Sequence, residues 1–199
     1  HDALPISRSV PELTSLEIRS LDAGSWFAPQ YTGVPPAGFE QAVRWCRANR
    51  VWLNIEIKPA KGAELETGRV VGRLTGELYA DLVREGGATQ AGVVSDAPLF
   101  SSFKPDALRG AMETAPNIPR GFLVDELPEN WREVLEEMKC VALHCNQRRL
   151  TPEFAREVKA LGYWLFCYTV NDPRRARELF SWGVDGLCTD RLDLVRPSL

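Results

Sequence analysis

The residues best placed to do chemistry lie in Asn54-Ile55-Glu56-Ile57-Lys58-Pro59, at the end of an apolar run that begins at Val51. Side chains alternate along a strand, so Asn54, Glu56 and Lys58 share one face while Ile55 and Ile57 share the other. A carboxylate beside an ammonium suits two tasks. Hard divalent cations take carboxylate oxygens, and phosphate oxygens accept an ammonium point charge. An ion pair confined to the rim of the fold is the structural alternative. Further polar residues end other apolar runs: Ser101 to Phe103, Asp125, His144 with Asn146, Tyr168 to Asn171, and Thr189-Asp190.

The elements that must position these residues repeat. Apolar runs begin at Gly121, Cys140, Tyr163 and Val184, and an amphipathic stretch separates each from the next. Thr151 and Asp172 are good N-caps, each followed by Pro at the first helical position, where a missing N–H is harmless. Gly162 and Gly183 suit the left-handed residue that closes a helix. The runs are apolar throughout rather than alternating, as expected of a parallel sheet covered on both faces. Upstream, a helix is expected from Phe39 to Asn49. Another follows the Val51 strand, with Val70, Val71, Leu74, Leu78 and Leu82 as its apolar stripe.

Six strands are therefore expected, near residues 51–57, 98–101, 121–124, 140–143, 163–168 and 184–188. Successive β/α crossovers are right-handed and bring every strand's C-terminal end to one face. The reading is an α/β fold: a TIM (β/α)8 barrel in which about six of eight units are present and the first two are missing. A complete barrel has ~250 residues, and catalytic groups come from the C-terminal ends of its strands. The outer strands of such a sheet would be unpaired edges, so poor solubility is expected.

Composition narrows the function. The chain has 199 residues with 24 Lys+Arg against 27 Asp+Glu, a formal net charge of −3. Slight acidity without a basic block argues against a nucleic-acid surface. The longest apolar run, Tyr163 to Tyr168, falls far short of the ~20 residues a membrane span needs. Cys46, Cys140, Cys145, Cys167 and Cys188 form no C-x-x-C pair and read as free thiols, which points to the cytoplasm.

Several segments, in order, resemble the glycerophosphodiester phosphodiesterase family. Leu21-Asp22-Ala23-Gly24-Ser25-Trp26-Phe27 resembles the stretch before its third strand, and Asn54 to Pro59 the signature of that strand. Ser101-Ser102-Phe103-Lys104-Pro105 with Leu108 is similar to its S-F-x-P-x-x-L pattern. Tyr168 to Pro173, Gly183 to Gly186 and Thr189-Asp190 match the last two strand ends. Tyr168 and Ala142-Leu143-His144 look most like the bacterial cytosolic branch. Singly these segments are common; their order over nearly the whole chain is specific.

The resemblance implies a barrel of the phospholipase C-like phosphodiesterase type. Its members hydrolyse glycerophosphodiesters to glycerol 3-phosphate and an alcohol. They use one Ca2+ or Mg2+ held by three carboxylates, with two His as acid and base. By resemblance Glu56 is a metal ligand and Lys58 binds the phosphate. Independently of the resemblance, Phe103 and Tyr168 are expected either to pack on the substrate or to be buried in the rim, His144 either to line the pocket or to be a satisfied structural histidine, and the loop with Trp26 and Phe27 to cover the mouth.

The family's His-Arg-Gly and Glu-x-Asp motifs are absent. His1-Asp2-Ala3-Leu4-Pro5-Ile6 reads as a non-native leader of the kind an adapter oligonucleotide encodes, so residues 1–7 are set aside and 8–199 form the phosphodiesterase domain. No catalytic His is assigned within the chain. The expected activity belongs to a parent protein, and the stretch itself is expected to be inactive. The alternatives are a non-catalytic barrel remnant that binds anions or a partner, and a barrel lyase using Lys58 as a Schiff-base amine. The only ligand expected is a small molecule.

Overall fold

A computed structural model describes residues 8–83 and 96–196. The segment assigned to a leader, residues 1–7, lies outside the described residues. The chain divides into two compact units, His1–Val51 and Trp52–Leu199.

The first unit holds helices α1 (Ser15–Arg19) and α2 (Phe39–Ala48). Thr14 and Glu17 cap α1 reciprocally: Thr14 Oγ1 accepts the Glu17 N–H, and the Glu17 carboxylate accepts the Thr14 N–H at 2.7 Å. Between the helices, the Asp22 carboxylate accepts the N–H groups of Gly24, Ser25 and Gly33. Those bonds hold its carboxyl down at about 2. They also close the loop that carries Trp26, Phe27 and Tyr31. The three rings touch at 5.8 and 5.5 Å between centroids and are exposed.

The second unit alternates strand and helix: β1 (Asn54–Glu56), α3 (Glu64–Leu78), α4 (Ala80–Val83), β2 (Leu99–Ser102), α5 (Pro105–Thr114), β3 (Arg120–Val124), α6 (Trp131–Glu137), β4 (Ala142–Asn146), α7 (Pro152–Ala160), β5 (Trp164–Tyr168), α8 (Pro173–Ser181) and β6 (Gly186–Leu187). The strands form one sheet in the order β1-β2-β3-β4-β5-β6, every pair parallel. This is a run of six consecutive TIM-barrel units. Among the described residues β1 and β6 are its edges.

All six expected strands are present, but several start later than the apolar runs suggest. One device explains this. The N–H groups of Val51, Cys140, Tyr163 and Val184 bond back to the carbonyls of Cys46, Leu135, Val158 and Leu179, each five residues earlier. The preceding residue has positive φ each time: Arg50 at 57°, Lys139 at 48°, Gly162 at 85° and Gly183 at 93°. The first apolar residue of each run therefore closes a helix, and the strand follows. Gly162 and Gly183 close helices as expected, whereas Arg50 and Lys139 do so without glycine. The expected caps also form: Thr151 Oγ1 accepts the Phe154 N–H, and the Asp172 carboxylate accepts the Arg174 N–H.

The packing face of α3 is rotated from the expected apolar stripe. It buries Gly68, Gly72 and Thr75, while Val70 is exposed and Val71, Leu74 and Leu78 are half-buried. The cause is close backbone contact with α5. A Cβ on Gly68 would lie 2.1 Å from the Ala107 carbonyl oxygen, and one on Gly110 would lie 2.1 Å from the Leu65 carbonyl oxygen. Small residues bring the two helices together more closely than the apolar stripe allows.

The main core lies between sheet and helices, where Phe122, Val124, Leu143, Cys145, Leu165 and Cys167 meet Leu135, Val158 and Leu179. All five cysteines are free; Cys140, Cys145 and Cys167 are buried, and Cys188 is exposed. At the N-terminal end of β3, Arg120 is 1% exposed. Its guanidinium donates to the carbonyls of Pro116, Ile118, Met138 and Lys139. A buried cation is thus satisfied entirely by backbone.

Candidate active site

Register decides which side chains meet. Ile55 pairs with Phe100, and Ser102 pairs with Phe122 of the helix-covered core. The other parity faces the barrel interior. Glu56, Ser101, Gly121, Ala142 and Trp164 form one interior layer across five strands. Leu123, His144, Phe166 and Gly186 form the next, and Asn146 and Tyr168 the one beyond, at the C-terminal mouth.

Asn54, Glu56 and Lys58 are exposed while Ile55 and Ile57 are buried, so the alternation read from the sequence holds through the strand end. What fixes this strand end is Ser102. Its hydroxyl donates to the Ile57 carbonyl at 2.6 Å and accepts the Lys104 N–H. One buried side chain therefore ties the end of β1 to the start of α5.

Phe103 and Tyr168 come together, edge to face at 5.9 Å. The Tyr168 hydroxyl donates to the Val124 carbonyl at 2.8 Å, which anchors the ring of β5 across β4 to the end of β3. Burial, and then the charges of Asp125 and Glu56, push its phenol up to about 12. The Cys188 thiol is raised by burial and by Glu56 and Asp190.

The remaining strand-end residues tie neighbouring loops. Asn146 Nδ2 donates to the Asp125 carboxylate at 2.7 Å, and Arg149 pairs with Glu126 at 2.7 Å. Asn171 accepts from Thr189 and the Asp190 N–H and donates to the Asp190 carboxylate. Asp185 of the Gly183–Gly186 segment accepts the Leu165 N–H and pairs with Lys159 at 2.6 Å. Two of the recognisable motifs therefore hold β5 and β6 together; their signal in the sequence is the same as that of a catalytic motif.

His144 faces the interior but is 3% exposed, stacked on Phe166 at 4.9 Å between ring centroids. Burial lowers its pKa to about 4, so the ring is neutral at physiological pH.

A divalent cation needs several oxygens. Among the described residues no three His, Cys, Asp or Glu side chains converge on a common point. Glu56 stands as a single donor, so the residues present do not fit a Ca2+ or Mg2+ centre by themselves.

Six parallel β/α units in sequence order, with polar and aromatic side chains at their C-terminal ends, define a protein of the TIM-barrel class. The model of the glycerophosphoryl diester phosphodiesterase family matches residues 2–194, and the chain belongs to that family. It is 26% identical over 201 residues to a glycerophosphodiester phosphodiesterase of Bacillus subtilis, covering 93% of this chain and 64% of that protein. A glycerophosphodiester phosphodiesterase of Caldanaerobacter subterraneus is 28% identical over 91% of this chain and 69% of its own length. An Oleispira antarctica phosphodiesterase, solved in complex with the product sn-glycerol-3-phosphate, is 30% identical with a TM-score of 0.76, over 91% of this chain and 68% of that one. The chain thus spans about two thirds of the length of its relatives. No described helix is long and apolar enough to cross a membrane.

Proposed function

We propose that this chain is the larger part of a glycerophosphodiester phosphodiesterase barrel, acting in the cytosol. Its parent protein cleaves glycerophosphodiesters to glycerol 3-phosphate and an alcohol with a divalent metal. Glu56 contributes one metal ligand and Lys58 holds the phosphate, while Phe103 and Tyr168 pack on the organic part of the substrate. The observation that carries this reading is that Glu56 and Lys58 share one exposed face at a strand end whose Ile55 and Ile57 are buried, in a chain 30% identical to a phosphodiesterase solved with glycerol 3-phosphate. Five free cysteines suit a reducing compartment.

The 199-residue chain by itself binds the phosphate product but does not turn over substrate. Of its two histidines, His144 is buried and neutral, and His1 lies outside the described residues. General acid–base catalysis supplies ~10²–10⁴-fold, and metal stabilisation several kcal/mol more. The chain is expected to bind glycerol 3-phosphate by calorimetry, with Lys58→Ala weakening binding at least about tenfold, and to release no choline from glycerophosphocholine with Ca2+ or Mg2+. A longer chain with His-Arg-Gly and Glu-x-Asp motifs ahead of residue 8 is expected to be active, and Glu56→Gln to abolish that activity. Metal-dependent turnover by the 199-residue chain would overturn the assignment of its ligands.

A further inference from the structure

Among the described residues, two buried side-chain polar atoms have no hydrogen-bond partner: Ser101 Oγ and His144 Nε2. Buried polar groups are paired in the great majority of cases, with protein or with ordered water. These two are not scattered. Ser101 lies on β2 in the interior layer that contains Gly121 on β3 and Ala142 on β4. His144 lies on β4 one layer further toward the mouth, and its Nε2 leans back over Gly121. A Cβ on Gly121 would lie 2.8 Å from that nitrogen and 3.1 Å from His144 Cδ2. The strand between the two orphan atoms therefore carries no side chain, and the imidazole nitrogen is aimed into the space this leaves.

We propose that Ser101, Gly121 and His144 form an internal hydration site, in which one ordered water bridges the serine hydroxyl and the imidazole. His144 Nε2 sits over Gly121 on β3, and Ser101 is the register partner of Gly121 on neighbouring β2. The gap to bridge is therefore one inter-strand spacing, ~4.8 Å, a span that two hydrogen bonds of ordinary length, ~2.8 Å each, cover through one water. The chemistry matches at both ends. A neutral imidazole nitrogen accepts from water or donates to it according to its tautomer, and a serine hydroxyl can do either. Alanine at position 121 would put a methyl group where the nitrogen points. Ser101 is also the register partner of Glu56, so the bridge runs from the centre of the sheet to the floor beside that carboxylate. The site is a property of the interior layers and does not depend on the phosphodiesterase reading.

Nuclear magnetic resonance of the full chain, labelled with ¹⁵N-histidine, tests it. Comparison with His144→Phe assigns the His144 signals. The expected result is a water-to-ring cross-peak for His144, lost in Gly121→Ala, and a displaced Nε2 resonance in Ser101→Ala. A denaturation cycle supplies a second readout. If one water serves both residues, Ser101→Ala combined with His144→Phe changes the unfolding constant at least about threefold less than the product of the single changes. An absent cross-peak in the parent chain, or an Nε2 resonance that Ser101→Ala leaves in place, overturns the proposal, as do single effects that multiply. Should Gly121→Ala fail to fold, the parent cross-peak and the Ser101→Ala comparison still decide.

Discussion

Burial of His144 makes the stability of this protein depend on pH in a direction and amount that can be worked out. Its folded pKa of about 4 lies below the 6.5 of an unperturbed histidine, and desolvation is the cause. The folded state therefore binds a proton less readily than the unfolded state. Stability from this group is fully present above the unfolded value and declines as pH falls from 6.5 toward 4. At 1.36 kcal/mol per pK unit, the full difference is about 3 kcal/mol. The group is 3% exposed, so solvent screening takes little from that figure. Between about pH 7.5 and about pH 5, the expected loss is roughly 2 kcal/mol. His144→Phe removes the titration and keeps a ring to stack on Phe166. The assay is urea unfolding of both chains at the two pH values. Subtracting the variant's pH difference from the parent's cancels the carboxylates common to both, and should leave roughly 2 kcal/mol. A residual below ~0.5 kcal/mol would refute a neutral, desolvated His144.

Three further expectations concern packing and edges. Arg120→Met strands the carbonyls of Pro116, Ile118, Met138 and Lys139 and should cost about 3–5 kcal/mol, seen as a melting temperature lower by roughly 10 °C. Gly68→Ala drives a methyl group into the Ala107 carbonyl and should cost about 1–3 kcal/mol, whereas Val70→Ala on the exposed face of α3 should change stability by less than ~0.5 kcal/mol; equal effects would mean α3 packs by its apolar stripe after all. β1 and β6, the edge strands among the described residues, should make the chain associate as its concentration rises, a behaviour that sedimentation velocity detects. A monomer at every concentration would count against open edges.

Local signals in the sequence determined the order of elements, because caps and turn residues act over a few positions of chain. Thr151 and Asp172 start helices and Gly162 and Gly183 end them wherever the rest of the protein lies. Strand alternation likewise placed Glu56 and Lys58 on one face before any neighbour was known, and the ordered motifs identified the family. Tertiary structure decided what distant residues do to one another. Whether α3 packs through Val70 and Leu74 or through Gly68 and Gly72 depends on how near α5 can come, which no property of α3 alone reveals. The same holds for the four carbonyls that surround Arg120 and for the Ser102 bond that ties the end of β1. Asn171 and Asp185 lie in family-like segments and bond across β5 and β6, a partnership that only the packed sheet reveals. His144 is the sharpest case. A strand-end histidine is legible in the sequence, but its burial, its stacking on Phe166 and its unpaired nitrogen over Gly121 exist only once sheet register sets β3, β4 and β5 side by side.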